Sequence, residues 1–275
     1  MNTFTRACTR AWTCAAAVLA GAAGLTALAQ PAQAHFQLIY TPETNLEKPQ
    51  EVPFLLVFWH PFSNGPAMDM GTPEQFFVSR KGKTTDLLGT LKPVTFKAAQ
   101  NSSAGFETKV RVNGLGDHIF ALVPAPYYEA SEDKYIQQIT KTYVNQGGVP
   151  SGWDEPLGLA TEIVPLNKPN AVIAGSTFSG QVLSEGKPVP GAEIEVEYIA
   201  ATPDLATRAS GPASVAPPPG GAVVVKADDN GVFTFGIPRA GTWGFAALGS
   251  GPAKTVQGKP LSQDAVLWIQ ANPLQ

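Results

Sequence analysis

The sequence has little of what a disulfide scaffold, a nucleic-acid-binding protein or a common hydrolase needs. Its 275 residues include two cysteines, Cys8 and Cys14, and only 15% of them are charged. The formal net charge is −3, so no excess of lysine and arginine exists to neutralise phosphates, which argues against nucleic acid as a partner. The glycine-rich phosphate loop, the serine elbow and the His-Glu-x-x-His pair are also missing. These absences favour binding over catalysis.

The first 34 residues have the layout of a secretory signal peptide. Arginines at positions 6 and 10 precede an apolar stretch from Ala15 to Ala29, and the small-residue sequence Ala32-Gln33-Ala34 follows. The stretch is shorter than the ~20 residues that a membrane span needs, and no later segment is apolar enough to span. We therefore expect cleavage after Ala34 and export to the periplasm. The mature chain would then begin at His35, without a cysteine or a transmembrane segment.

Short apolar segments separated by glycine and proline make up most of the remaining chain, which holds many of the 27 glycines and 25 prolines. Some segments alternate, such as Phe106–Val112, whereas Val52–Trp59 is continuously apolar and predicts a buried strand. Residues 131 to about 144 begin with a capping serine and early acids, which predicts one short helix. The pattern as a whole predicts an all-β fold.

We predict two antiparallel β-sandwich domains with a boundary at residues 165/166. Residues 35–165 form the first sandwich, which also contains the short helix. Residues 166–275 form the second, and its strand spacing is typical of an immunoglobulin-like sandwich. Residues 203–222, rich in proline, alanine and glycine, are predicted to be a flexible insertion.

All three histidines lie in the first predicted domain. At the amino terminus, His35 would offer its free amine and its ring Nδ1 to one metal, and both groups lose their protons at little cost. His60 follows the apolar strand, at a strand end that suits a site, although a hydrogen bond to a loop would explain it equally well. Alternation puts His118 on one face with Phe120 and Leu122, which fits a structural histidine as well as a ligand. The first domain is thus the candidate metal-binding domain.

Met68 and Met70 follow His60 closely. Thioether sulfur favours soft metals such as Cu(I), but a methionine in an apolar loop more often fills the core. Nitrogen ligands from a terminal histidine and a second histidine suit Ni(II) and Cu(II). The sequence therefore gives five candidate metal ligands: His35, His60, His118, Met68 and Met70.

A series of motifs occurs in a fixed order along almost the whole mature chain. They are Ala34-His35-Phe36, Phe58-Trp59-His60-Pro61-Phe62, Met68-Asp69-Met70 and Gly116-Asp117-His118, followed by residues 124–129, 132–134, 161–166, 180–183, 186–191 and 229–233. This order resembles a family of periplasmic accessory proteins for nickel and cobalt uptake. Members of that family are encoded beside energy-coupling-factor-type nickel transporters, and their mature chain starts at a histidine. His35 and His60 match its histidine positions.

The resemblance implies a periplasmic protein that captures Ni(II), or Co(II), and delivers it to the components of a membrane nickel/cobalt transporter. The missing catalytic motifs lead us to expect no enzymatic activity. A copper-binding histidine-brace protein is the alternative, either a polysaccharide oxygenase or a copper carrier, because such sites also combine a terminal histidine with a second one. A structural or adhesive β protein with incidental histidines also stays open.

Overall fold

Strands account for most of the chain in a computed structural model that describes residues 35–219 and 221–274. The predicted signal peptide, residues 1–34, lies outside the described residues. In chain order the strands are β1 (Phe36–Tyr40), β2 (Asn45–Leu46), β3 (Gln50–Trp59), β4 (Ala67–Met68), β5 (Gln75–Arg80), β6 (Lys83–Asp86), β7 (Lys92–Lys97), β8 (Ser102–Val112), β9 (Gly116–Val123), β10 (Tyr127–Glu129), β11 (Lys134–Gln146), β12 (Thr161–Pro165), β13 (Thr177–Ser184), β14 (Lys187–Pro188), β15 (Glu193–Tyr198), β16 (Pro203–Asp204), β17 (Ala209–Ser210), β18 (Val223–Lys226), β19 (Val232–Gly236), β20 (Gly241–Ala247), β21 (Lys254–Val256) and β22 (Lys259–Ala271).

The strands form three sheets. A seven-stranded sheet has the order β1-β3-β8-β7-β17-β16, with β4 on β3. An eleven-stranded sheet has the order β18-β15-β20-β22-β11-β9-β5-β6, with β2 and β10 on β11 and β21 on β22. A four-stranded sheet joins β12, β13 and β14, with β19 on β13. Most pairings are antiparallel, so the predicted all-β fold class is confirmed. No helix in the described part of the chain is long and apolar enough to cross a membrane.

The predicted helix in the first domain is wrong, because Lys134–Gln146 form the long strand β11. Residues 137–146 are all buried in the middle of the eleven-stranded sheet, where β-branched and aromatic residues pack well. Hydrogen bonds compensate for burying the polar side chains of Gln137 and Gln138. Nε2 of Gln137 donates to the Pro124 carbonyl, and Oε1 of Gln138 accepts the N–H of Gln37. Ser131, read from the sequence as a helix cap, lies in the β10–β11 turn and binds the Glu129 carboxylate.

The predicted boundary at residues 165/166 does not fall between two sheets. Strand β11 from the first predicted domain pairs in parallel with β22 from the second, from Tyr135↔Leu261 to Thr142↔Trp268. The predicted flexible insertion also contains regular structure, since β16 and β17 form a hairpin that reaches β7 at Ala209↔Lys97. Strands from both sides of residue 165 therefore share hydrogen-bonded sheets.

This pairing leads to a prediction about the fragment of residues 166–275. Expressed alone, it would lose the β11 edge of β22 and the hydrogen bond from the Trp268 indole to the Gln37 carbonyl. We expect the fragment to unfold at a lower temperature and over a broader range than the complete mature chain. Circular dichroism during heating measures both transitions. A sharp transition at the temperature of the complete chain would instead support an independently folding second domain.

The core determines which side chains can meet at the end of β1. This strand is buried on both faces: Phe36, Leu38 and Tyr40 pack in a cluster with Trp59 and Trp268. Ile39 packs on the opposite face in a second cluster, with Phe58 of β3 and Phe120 of β9. Because side chains alternate along a strand, His35 shares the face of Ile39, and His60 shares the face of Phe58.

Candidate metal site

Two histidines lie side by side where β1 begins and β3 ends. The register Phe36↔Trp59 places His35, one residue before β1, opposite His60, one residue after β3. Their ring centroids are 4.3 Å apart, with the planes tilted by 42°. Opposed residues of an antiparallel pair have their side chains on the same face. The structure therefore brings together the two histidines that match the family resemblance.

Aromatic rings surround the pair on one side. The His35 ring centroid lies 5.4 Å from that of Phe58 and 6.2 Å from that of Tyr127, and these two rings meet edge to face. Tyr127 is held there by β10, through its register with Ile136 of β11. His60 is only 4% exposed, whereas His35 is half-buried. The site thus has an apolar wall and one accessible histidine.

The electrostatic surroundings favour a neutral imidazole and a nearby cation. Burial lowers the pKa of His35, and the carboxylates of Glu129 and Glu132 oppose that shift only in part. A neutral ring is the form that binds a metal. The same two carboxylates lie in and just after β10 and add negative charge close to the accessible histidine, which attracts cations.

The loop after His60 is fixed by hydrogen bonds from several directions. The Gly65 N–H donates to the His60 carbonyl at 3.1 Å, and the Trp59 indole donates to the Gly65 carbonyl at 2.9 Å. The Phe62 N–H donates to the carboxylate of Glu197 on β15. A Cβ at Gly65 would lie 3.1 Å from the Cβ of His60, so this close approach suits glycine. These contacts hold the backbone of His60 in place.

Both methionines lie in the core next to this site. Met68 is 8% exposed and pairs with Phe58, and Met70 is 7% exposed in the same apolar cluster. The Sδ of Met70 accepts a hydrogen bond from Nε2 of Gln37 at 3.3 Å. Their packing matches the core-filling interpretation of these residues, and neither makes a described contact with the histidine rings.

His118 lies at a distance from the other two histidines. It is opposite Val144 on β11, whereas Tyr127, beside His35, is opposite Ile136. Val144 and Ile136 are eight residues apart along β11, which corresponds to roughly 26 Å at ~3.3 Å per residue. Burial lowers the pKa of the His118 ring, which lies in the core. His118 therefore cannot share a metal with His35 and His60.

Two buried acids that no sequence motif singles out line a small cavity with His60. Glu195 and Glu197 of β15 are each 7% exposed, and Phe36, Phe62 and Ser63 complete the near wall. Burial raises the pKa of Glu195 to about 7, with a further contribution from Asp264, and raises that of Glu197 to about 8. From sequence, alternating glutamates on a strand indicate a solvated face. Only the fold shows that this face is covered.

Few side chains that could bind a metal lie close together at this site. Among the described residues, no group of three histidine, cysteine, aspartate or glutamate side chains is arranged to hold a metal ion. The close pair His35–His60 supplies two ring nitrogens, and an amino terminus at His35 would supply a third. Three nitrogen donors of this kind fit a first-row divalent ion and leave coordination positions open.

Several solved structures show a weak similarity to this chain. The D0-D1 domain of intimin has 11% identity and a TM-score of 0.20, covering 83% of this chain and 95% of its own. The adhesin InvE of Yersinia pseudotuberculosis has 14% identity and a TM-score of 0.23, covering 86% of this chain and 58% of its own. The eight N-terminal immunoglobulin domains of Down syndrome cell adhesion molecule have 13% identity and a TM-score of 0.20, covering 87% and 28%.

Sequence comparison gives a closer assignment than these structures do. No curated protein matches the chain significantly. A family model matches residues 32–251, which is most of the chain, and its description is a domain of unknown function. The chain therefore belongs to the DUF4198 family.

Proposed function

We propose that the mature protein captures Ni(II), or Co(II), at His35 and His60 in the periplasm and delivers it to a membrane nickel/cobalt transporter. The observation that carries this proposal is the 4.3 Å separation of the two ring centroids at adjacent strand ends. Of the three histidines in the 275 residues, two lie side by side, and one of them, His35, directly follows the predicted cleavage site.

The chemistry of the donors supports an exchangeable divalent metal. Cleavage after Ala34 would give a terminal amine and a ring nitrogen on one residue, with the His60 ring as the third donor. Nitrogen donors without a thiolate suit Ni(II), Co(II) and Cu(II) better than soft ions. Few protein ligands and open positions also permit transfer to a second protein, which a carrier requires. The half-buried position of His35 leaves the site accessible to that partner.

The periplasmic location and the transporter partner rest on the predicted signal peptide and on the family resemblance. The acids near His35 support capture of a cation without selecting a particular metal. We propose a carrier and not an enzyme, because the sequence contains none of the common catalytic motifs.

The replacement His60→Ala tests this proposal. We expect it to weaken Ni(II) binding by at least tenfold, about 1.4 kcal/mol, in calorimetric titration of the mature chain. His118→Ala is the matched control, since it removes an equally buried imidazole roughly 26 Å away and should leave the affinity within about twofold. Equal affinities for His60→Ala and the unchanged protein would contradict the proposal.

Titration with Co(II), Cu(II) and Zn(II) under the same conditions identifies the metal. The carrier proposal expects Ni(II) or Co(II) to bind and no peroxide to form with any loaded metal. Strong preference for Cu(II), with hydrogen peroxide produced in the presence of a reductant, would favour the alternative of a histidine-brace oxygenase. Preference for copper without peroxide would favour a copper carrier.

A further inference from the structure

A groove of about 910 Å³ lies between the seven-stranded sheet and the turn that joins β16 to β17. Its volume falls within the range of roughly 300–1,000 Å³ that is usual for small-molecule sites. The sheet contributes the apolar side chains of Pro53 and Leu55, and the turn contributes Leu205 and Ala206. The groove therefore has the size and the apolar surface that an organic ligand needs.

The turn over the groove is fixed by several hydrogen bonds. Oδ1 of Asp204 accepts the Ala206 N–H at 2.8 Å, and the Arg208 carbonyl accepts the Lys97 N–H at 2.8 Å. Arg208 has φ +52°, a conformation that is unfavourable for a residue other than glycine. Its Nε and Nη2 each donate to one carboxylate oxygen of Glu107 on β8 at 2.8 Å. Because this pair ties the turn to the sheet, the groove is already formed without a ligand.

The charges that line the groove are unbalanced. Glu107 is paired with Arg208, whose hydrogen bond lowers the pKa of the Glu107 carboxyl, and the charges of Arg208, Lys92 and Lys109 add to that shift. Lys92 lies opposite Glu107 on β7, and Lys109 lies two residues further along β8, so both point to the same face. Neither lysine forms an ion pair among the described residues. Two ammonium groups thus lack a counter-charge, in a chain whose formal net charge is −3.

We propose that this groove binds a small organic carboxylate with an apolar body. The carboxylate of the ligand lies between the ammonium groups of Lys92 and Lys109, which attract it and determine its orientation. The apolar body packs against Pro53 and Leu55 on the sheet and against Ala206 on the turn. The site therefore selects for an anion over a neutral molecule of the same shape.

This site is separate from the histidine pair. Pro53 precedes His60 by seven residues along β3, which corresponds to roughly 23 Å at ~3.3 Å per residue. Side chains an odd number of residues apart on a strand point to opposite faces, so Pro53 and His60 do not share a face. The inference therefore does not depend on metal binding.

Calorimetric titration of the mature chain with 2-naphthoate tests the inference. We expect Lys92→Gln/Lys109→Gln to weaken binding by about tenfold or more, because it removes both charges that attract the carboxylate. Lys187→Gln/Lys254→Gln is the matched control, since it changes the net charge equally at two exposed lysines that form no described ion pair. This control should change the affinity by less than about twofold. Equal affinities for the two double variants would overturn the inference, as would the absence of saturable binding to the unchanged chain at millimolar 2-naphthoate.

Two substitutions at Ala206 test the position of the ligand without removing a lysine. Ala206 is exposed, and only its backbone N–H takes part in the turn, so both variants should melt at the temperature of the unchanged chain. We expect Ala206→Glu to weaken 2-naphthoate binding by about fivefold and Ala206→Lys to strengthen it by about threefold, because the new charges repel and attract the carboxylate. The same affinity in both variants would overturn the placement of the ligand beneath the turn.

A neutral probe and a distant variant complete the experiment. The alcohol 2-naphthalenemethanol should bind about tenfold more weakly than 2-naphthoate, since it lacks the charge that the lysines recognise. His60→Ala should leave the affinity for 2-naphthoate unchanged in the metal-free protein. Equal binding of the alcohol would overturn selection for an anion, and a loss in His60→Ala would place the probe at the histidines instead. Because this titration uses no metal, its failure leaves the proposed function intact.

Discussion

A protease recognition sequence of several residues, placed directly before His35, is expected to lower the Ni(II) affinity of the mature chain by about two orders of magnitude, close to 2.7 kcal/mol. The added peptide bond converts the terminal amine into an amide, which no longer offers a free lone pair to the metal. The chelate ring closed by the amine and Nδ1 of one residue is then lost, and two separate imidazoles remain. Calorimetric titration of the extended and the native mature chains measures the difference.

A protease site in the same extension provides the control. Cleavage that restores His35 as the first residue should restore the affinity, since His35 precedes β1 and the extension leaves every strand pairing intact. The thermal transition of the metal-free protein should be the same before and after cleavage. Full affinity in the uncleaved protein would exclude the amine as a ligand and would leave the ring nitrogens as the only donors from His35.

The pair His35–His60 could be predicted from the sequence because it depends on local features. A predicted cleavage site fixes one histidine at the start of the first strand, and a continuously apolar strand ends at the other. Antiparallel pairing of β1 with β3 then places both histidines at the same end of the strand pair. His118 also follows a recognisable strand pattern, but its level along β11 depends on the register of β9, which no local signal specifies.

The burial of Glu195 and Glu197 could not be predicted from the sequence for a related reason. The alternation Glu193, Glu195, Glu197 predicts a strand with one wet face, and Glu193 conforms to it by remaining exposed. The other two are covered because the His60 loop packs across the eleven-stranded sheet. Burial of a strand face by a segment more than 100 residues away leaves no mark on the strand's own pattern.

The all-β class could likewise be read from short segments and turns, whereas the position of β11 could not. Its first residues follow a serine and two acids that resemble a helix start. The tertiary structure overrides that local preference, because β11 pairs with β9 on one side and with β22, more than 100 residues away, on the other. The same long-range pairing explains why a boundary drawn at residue 165 does not separate the sheets.

A buried ion pair beside that boundary contributes to the junction of β11 and β12. Nζ of Lys141 lies 2.7 Å from Oε2 of Glu162, and the two side chains are 1% and 2% exposed. Glu162 also accepts the backbone N–H groups of Leu157 and Gly158. Burial lowers the pKa of Lys141, while the Glu162 carboxylate opposes the shift. One carboxylate therefore holds a buried ammonium and the loop before β12 together.

Replacing Glu162 by glutamine is expected to destabilise the fold by about 3–5 kcal/mol, because it leaves the Lys141 ammonium buried without a counter-charge. The double variant Lys141→Met/Glu162→Gln should recover most of that loss, since it removes the unpaired charge and keeps an acceptor for the backbone N–H groups. Urea unfolding measures the free energy of unfolding of the unchanged mature chain, the single variant and the double variant.

The exposed pair Lys226–Glu193 is the matched control, and Glu193→Gln should change the free energy of unfolding by no more than about 0.5 kcal/mol. A Glu162→Gln protein as stable as the unchanged chain would contradict this prediction. Lys141 would then lose its proton without lowering the free energy of unfolding, and the ion pair would not stabilise the junction.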